Sequence, residues 1–331
     1  MRNEGVNDAD RIFATIVTSD YVPHARVLAR NLRQFDDRST LWTLVVDEGA
    51  IENFAEPGFH LARMDDIVDD PTVREIRKRY QEQPGGKMRW SLKAPWMLFL
   101  LSRPGCGSCV YLDWDIHFFS DYGFLWDALS DCAVLLTPHW RSRDPLRDQE
   151  NFHKNFTEGM FNGGFVGASR RGVPHLRWWA EACAYACRVD HANGLHDDQR
   201  YLDLLPVQFE GVRILRHRGC NVGEWNMRAC RRTIRQDGKV AIHENDPLVF
   251  LHVTSWLFER VYHGADSCLC PLLDEYVSRV REVIPGYVPD FPPASSGPTR
   301  GGRGASRYLS FFRSCADGLR HLRARRKGGS R

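Results

Sequence analysis

Residues 111–119 read Tyr-Leu-Asp-Trp-Asp-Ile-His-Phe-Phe, with Val110 ahead of them. Apolar and aromatic side chains fall on successive positions, so neither face of the stretch can turn to water. Such a run predicts a strand buried on both faces, inside a mostly parallel sheet with helices on either side. Two carboxylates, Asp113 and Asp115, interrupt it. A buried charge is costly unless it is paired or bound to a metal. The strand is therefore expected to end here, where a turn lets both carboxylates converge on one hard divalent cation that prefers oxygen ligands. The competing reading has one aspartate capping the next helix and the other solvated.

The rest of the chain fits that sheet. Residues 11–18 read as a first strand, 18–21 as a polar turn and 22–35 as a helix, with Val27, Leu28, Asn31 and Leu32 on one face. Further strands are predicted at 41–46, 132–137, 161–168, 213–215, 240–243 and 248–252. Further helices are predicted at 72–83, 90–101, 175–188, 197–205 and 268–283, with a break at Pro84-Gly85-Gly86. Strands alternating with helices predict an α/β fold with a mostly parallel sheet, and ligands of such sheets sit off the carboxyl ends of the strands. Residues 18–21 and the two aspartates would share that edge.

Composition limits the alternatives. In 331 residues, 43% hydrophobic and 11% aromatic content is ample for one large domain, expected at 11–288 after a flexible 1–10. No apolar run is long enough to span a bilayer, and the polar, acidic first ten residues are not a secretory signal, which predicts a cytoplasmic protein. The ten cysteines are then expected to be reduced core residues. Cys106-x-x-Cys109 has no second pair to complete a structural zinc site.

Charge is uneven. Residues 291–331 hold ten Lys/Arg and one Asp, a local charge of +9, so the other 290 residues carry −6. Residues 289–305 are rich in Pro, Gly and Ser and read as a linker. Residues 306–331 read as a basic tail, disordered or amphipathic, with Tyr308, Phe311 and Phe312 suited to peripheral contact with the inner leaflet. Nucleic-acid binding is the competing reading of the arginines, and no nucleic-acid partner is expected.

Four further stretches carry polar groups in apolar settings. Trp90-Ser-Leu-Lys93-Ala-Pro95-Trp96 places one lysine in an apolar helix. Phe161-Asn162-Gly163-Gly164-Phe165-Val166-Gly167 is a glycine-rich strand or turn bearing one amide. Asp197-Asp198-Gln199 opens a helix. Asn221-Val-Gly223-Glu224-Trp225-Asn226 precedes Leu251-His252-Val-Thr254-Ser255-Trp256. With Tyr111 to Asp115 and Pro138-His139, in this order and spacing, residues 11–285 resemble bacterial nucleotide-diphospho-sugar transferases of the GT-A fold. The chain is more distantly similar to the retaining family of glycogenin and the lipopolysaccharide galactosyltransferases.

The resemblance implies a GT-A fold, with one Rossmann-like sheet flanked by helices. It implies Mn²⁺ or Mg²⁺ held by Asp113, Asp115 and His252, and a ring nitrogen favours Mn²⁺. It implies a nucleotide sugar, UDP-linked by expectation, as donor. Thr18, Ser19, Asp20 and Tyr21 would hold the nucleoside, with the tyrosine stacked on the base. Lys93 would reach donor phosphates or sugar, and Asn162 and Gly163 would let amide and backbone approach the donor sugar or acceptor. Asp198 would bond sugar hydroxyls, and Gln199 would turn its carbonyl dipole to the anomeric carbon. Asn221, Trp225 and Asn226 would shape the sugar or acceptor pocket. Each has a plain structural alternative: helix caps for Asp20 and Asp198, a snorkelling stem for Lys93, a strand connection for Asn162, a core imidazole for His252 and a buried loop indole for Trp225.

The implied activity is transfer of a sugar from the nucleotide to a hydroxyl of a glycan, a lipid-linked glycan or another acceptor. Two departures stand out. Trp114 stands where such bacterial proteins often carry Pro. No lysine follows His252, so Lys93 or Arg260 is expected to replace the late phosphate contact. No carboxylate declares itself as the general base of an inverting enzyme, which favours retention, with Glu224, Asp197 or Asp198 as the alternatives. Two other readings are a catalytically silent carbohydrate- or lipid-binding scaffold and a sugar-nucleotide nucleotidyltransferase. The latter needs a Gly-rich basic loop after strand one, and Thr18-Ser19-Asp20-Tyr21 is not that loop.

Overall fold

The run Arg-Ile-Phe-Ala-Thr-Ile-Val forms β1 (Arg11–Val17), buried from Phe13 onward. The computed structural model describes residues 11–51, 55–83, 86–243 and 245–291. The expected flexible 1–10, the break at Pro84-Gly85, the tail 306–331 and all of the linker but its first three residues lie outside them. The remaining main strands are β2 (Ser39–Val45), β3 (Phe59–Arg63), β4 (Ser108–Leu112), β5 (Ile116–Phe118), β6 (Val134–Pro138), β7 (Phe161–Ser169), β8 (Val212–Ile214) and β9 (Phe250–His252). Among the described residues the central sheet has seven strands, in the order β8-β6-β7-β4-β1-β2-β3. It is parallel throughout except at β7, which runs against both β4 and β6. The expected α/β architecture with one mostly parallel sheet is the observed one.

Helices cover both faces, as an apolar parallel sheet requires. The main ones are α1 (Val22–Phe35), α2 (Pro71–Tyr80), α3 (Lys87–Ser91), α4 (Lys93–Ser102), α5 (Gly123–Ser130), α6 (Gln149–Thr157), α7 (Val173–Tyr185), α8 (Ser255–Tyr262) and α9 (Cys270–Val283). On one face α4 and α7 bury Trp96, Leu100, Leu176 and Trp179 against Ala14, Tyr111 and Val166. On the other, Leu28 and Leu32 of α1 and Leu125 of α5 pack with Phe13, Tyr122 and Phe250. Truncating either fully buried tryptophan would cost about 3–5 kcal/mol.

Several elements differ from the sequence reading. The helix expected at 90–101 is two, α3 and α4, meeting at Leu92. Asp197-Asp198-Gln199 opens a 3-10 helix, Gln199–Leu204, not an α-helix over 197–205. β3, α5, α6 and α8 were not expected. All nine cysteines among the described residues are free, as expected, and among these residues no helix is long and apolar enough to cross a membrane.

Candidate metal and donor site

Strand register brings the predicted residues to one edge. β1 and β4 run parallel with Ala14 beside Tyr111, so residues 18–21 and 113–115 leave the sheet side by side. β7 runs back against β4 with Phe165 beside Leu112, which puts Asn162, Gly163 and Gly164 at the same edge. The Asp113 N–H donates to the Gly164 carbonyl at 2.9 Å, and the Ile116 N–H closes a turn on the Asp113 carbonyl at 3.1 Å. Past that turn β5 pairs antiparallel with β9, His252 opposite Ile116. Two strands distant in sequence thus set an imidazole beside two carboxylates.

His252 Nε2 lies 3.1 Å from Asp115 Oδ1 and 3.9 Å from Asp113 Oδ2. One ligand atom from each residue fits within 4.8 Å of the others, the only such group of metal-ligating side chains found among the described residues. Asp115 Oδ1 is buried, and apart from the His252 ring nitrogen 3.1 Å away no hydrogen-bond partner reaches it among the described residues. Gly164 makes the approach possible, because a Cβ there would fall 2.4 Å from His252 Cε1 and 2.8 Å from Asp113 Oδ2. Two hard oxygens and one borderline nitrogen fit a divalent cation such as Mn²⁺. Burial opposes a charged His252, but Asp115 and then Asp113 outweigh it and raise its pKa above the usual value.

Lys93 is the electrostatic hub behind these ligands. Its Nζ donates to the Gly163 carbonyl at 2.9 Å and lies 3.3 Å from both Asp113 Oδ1 and Asp198 Oδ2. Burial works against the ammonium, yet the two carboxylates more than offset it and raise its pKa, so Lys93 stays charged. Burial also opposes the Asp113 carboxylate, but Lys93, His252 and the Tyr111 hydroxyl, 2.9 Å away, hold it below the usual range. Asp198 has only Lys93 to answer burial and the like charge of Asp113, and its pKa is pushed up to about 6. Gly163 is needed here too, since a Cβ would sit 2.9 Å from Asp198 Oδ2.

Beside the trio opens a cleft of about 630 Å³, lined by His139, Asn162, Gln199, Glu224, Trp225 and Arg260 among others; Trp225, against His252, and Asn162, bonded to Gly164, join it to the trio, and neither the three ligands nor Lys93 and Asp198 are in its lining. Gln199 Oε1 accepts from the Gly163 N–H at 3.0 Å and its Nε2 donates to the Glu158 carbonyl at 2.8 Å, which fixes its plane; among the described residues no second donor reaches Oε1, which has a further lone pair. Asn162 Nδ2 bonds His139 Nε2 at 3.1 Å, and its Oδ1 accepts from the Gly164 N–H at 2.8 Å. Burial and the nearby Arg141 keep His139 neutral. The Trp225 indole stands edge-on to both His139 and His252, with centroids 5.5 and 5.3 Å away. Burial raises the pKa of Glu224, opposed by the Thr254 hydroxyl at 2.8 Å.

The first β–α turn forms the other end of the edge. The Thr18 hydroxyl bonds the Asp20 carboxylate, while the Ser19 N–H and hydroxyl both donate to Asp47 at 2.7 Å. Tyr21 packs tilted on Trp114, centroids 4.6 Å apart, with His24 beside both rings.

Not every predicted residue faces a cleft. Asn221 and Asn226 are fully buried. Asn221 Nδ2 donates to the Thr137 hydroxyl at 3.0 Å, and Asn226 Nδ2 to the Asn221 carbonyl at 3.1 Å, with Arg232 bonding Asn226 Oδ1 at 2.8 Å. These amides hold the loop that carries Trp225. Sequence reasoning passed over Asp47, Tyr111 and Trp114 as site residues and gave His139 no role. Asp47 had a signal: it follows the apolar β2, whose Val45 pairs in parallel with Val17, just as Asp113 follows β4.

No family model matches the chain. Two Bacillus subtilis (strain 168) proteins are similar to it. The uncharacterized protein YfnD is 27% identical over 251 residues, covering 74% of this chain and 77% of its own length. The uncharacterized protein YfnF is 24% identical over 254 residues, covering 74% and 81%. Among solved structures, an active-site mutant of LgtC is 15% identical with a TM-score of 0.46, over 80% of this chain and 95% of that one. The galactosyltransferase LgtC with donor and acceptor sugar analogs is 16% identical with a TM-score of 0.38, over 61% and 72%. Mouse xyloside xylosyltransferase 1 is 15% identical with a TM-score of 0.39, over 62% and 83%.

Proposed function

We propose that the chain is a metal-dependent glycosyltransferase of GT-A type. It would move a sugar from a nucleotide diphosphate, UDP by preference, to an acceptor hydroxyl with retention. The observation that carries this reading is the convergence of Asp113, Asp115 and His252 at the carboxyl edge of a parallel sheet, beside a cleft. A cation held there would neutralise charge building on the diphosphate as the sugar leaves. The chain's own residues supply the rest. Lys93 holds Asp113 ionised and in place. Asp198 meets the sugar hydroxyls, and the further lone pair of Gln199 Oε1 faces positive charge developing at the anomeric carbon. Trp225 walls the cleft with an apolar face, and residues 18–21 with Asp47 hold the nucleoside. The acceptor would be a glycan or lipid-linked glycan, met at the inner leaflet through the basic 306–331, a segment read from its sequence alone.

Calorimetry with Mn²⁺ and UDP tests the reading, followed by a panel of nucleotide sugars scored for Mn²⁺-dependent hydrolysis. Metal-dependent UDP binding with slow hydrolysis of one donor is the expected result. No metal-dependent nucleotide binding would overturn it in favour of a silent scaffold.

A further inference from the structure

Next to the candidate cleft lies a second concavity, of about 790 Å³. Among the described residues, seven of those that line it are arginines and one, Asp144, is acidic. That imbalance is unusual for a concave surface, because converging like charges repel one another across a low-dielectric wall. Ion pairs engage Arg141 with Glu158 and, at 3.7 Å, Arg228 with Asp148. Arg143, Arg147 and Arg216 also line it, and among the described residues no ion pair occupies them. Arg218 sits over the Trp140 ring, its Cζ 4.2 Å from the centroid, a cation–π contact that helps to hold the guanidinium in place.

Local backbone geometry supports a built site. Trp140 takes a left-handed conformation, φ 55°, which strains a bulky residue and persists only where its surroundings impose it. Its indole N–H is buried, with no hydrogen-bond partner among the described residues. His139 and Arg141, on either side of it, line the candidate catalytic cleft, and Arg141 and Arg228 line both concavities. The two spaces are therefore neighbours, joined by residues common to their walls.

Guanidinium forks match phosphate bidentately. A phosphate monoester carries about −1.5 to −2 at neutral pH, so it answers several guanidinium groups where a carboxylate answers one. We propose that the arginine-lined concavity binds a phosphate or pyrophosphate group carried by the acceptor, and so holds the acceptor's hydroxyl end in the adjoining cleft. The proposal rests on reading that cleft as the site of glycosyl transfer. It fixes a chemical class for the acceptor: a phosphorylated sugar, polyol or diphosphate-linked glycan.

The test uses the full chain and the Arg143→Ala/Arg216→Ala variant. Inorganic pyrophosphate is titrated calorimetrically with EDTA present, so that no metal bridges it to Asp113 and Asp115. Saturable binding by the wild type, weakened at least tenfold in the variant at an unchanged melting temperature, is expected. No wild-type binding, or equal binding by both proteins, overturns the proposal. A short single-stranded DNA bound more tightly than pyrophosphate overturns it in favour of a nucleic-acid surface. Matched acceptors then separate an acceptor site from one for free phosphate: glycerol against glycerol 3-phosphate, and glucose against glucose 1-phosphate, with the active donor. A preference for the phosphorylated member, with a raised KM and little change in kcat in the variant, supports the assignment; equal rates within both pairs reject it. Loss of the glycosyltransferase reading would appear separately, as absent Mn²⁺-dependent UDP binding in the wild type.

Discussion

Lys93 Nζ lies 3.3 Å from Asp198 Oδ2, and both side chains are almost wholly buried. Their shared contact leaves them differently placed. Lys93 has two carboxylates and a carbonyl around it and remains a cation. Asp198 has one cation, shared with Asp113, and burial lifts its pKa to about 6. The folded protein therefore holds Asp198 ionised at neutral pH against its own preference, a pattern common where a group serves chemistry rather than stability.

The sign of the resulting pH dependence follows. The pKa of Asp198 is raised above an unfolded value of about 4, so its stabilising contribution is full below pH 4 and lost as pH rises through 6. At pH 8 the ionised group costs about 3 kcal/mol relative to a solvated carboxylate. Asp198→Asn is expected to be more stable than the wild type at pH 8 by about 1–3 kcal/mol, with the difference vanishing by pH 4, while turnover is lost. Urea unfolding of both proteins at pH 4, 6 and 8 measures this. A variant less stable than the wild type at pH 8 would refute it.

Removing the cation has the opposite effect. Lys93→Met fills a similar volume but leaves Asp113 and Asp198 facing each other without a counter-charge. The loss should be about 3–5 kcal/mol in urea unfolding, and Lys93→Met with Asp198→Asn together should recover part of it. A single variant within 1 kcal/mol of the wild type, below that range, would mean that water supplants the ammonium.

Gly164 sets the distance between β7 and the trio. In Gly164→Ala the new methyl would meet His252 Cε1 and Asp113 Oδ2 well inside van der Waals contact. The strand must shift, at about 1–3 kcal/mol of stability. Mn²⁺-dependent UDP affinity is expected to fall at least about tenfold, roughly 1.4 kcal/mol. Unchanged affinity by calorimetry would show that His252 is not part of the metal site.

Much of this geometry was legible in the chain. The apolar run around Asp113 dictated a central strand, and alternation of strands and helices dictated a shared edge for residues 18–21 and 113–115. Pairing across long sequence gaps was not legible. Nothing local says that β9 lies against β5, so the approach of His252 rested on resemblance alone. The break at Leu92, by contrast, has a local cause: Pro95 has no N–H to donate to the Ser91 carbonyl, so it falls in the first turn of a new helix, α4. β3 is a short strand at the sheet edge, and its sequence, Phe-His-Leu-Ala-Arg, has too little alternation to stand out. The arginine concavity draws on residues 140–147, 216–218 and 228–231, each unremarkable in isolation.

Trp114, the departure from the resembling pattern, acquires a physical role beside Tyr21. Its indole closes one side of the tyrosine ring at 4.6 Å, with His24 at 5.2 Å, so the ring is held in one orientation before any ligand arrives. A base stacked on a ring fixed in this way loses less entropy on binding than one that must order a mobile tyrosine. Tyr21→Ala is expected to weaken Mn²⁺-dependent UDP binding about fivefold, near 1 kcal/mol, and Tyr21→Phe to preserve it, because the aromatic contact rather than the hydroxyl carries the energy. Trp114→Ala should weaken binding by a smaller factor while leaving Mn²⁺ affinity intact. If Tyr21→Ala binds UDP as the wild type does, the base does not stack there, and Asp47 with the Ser19 turn becomes the place to look for it.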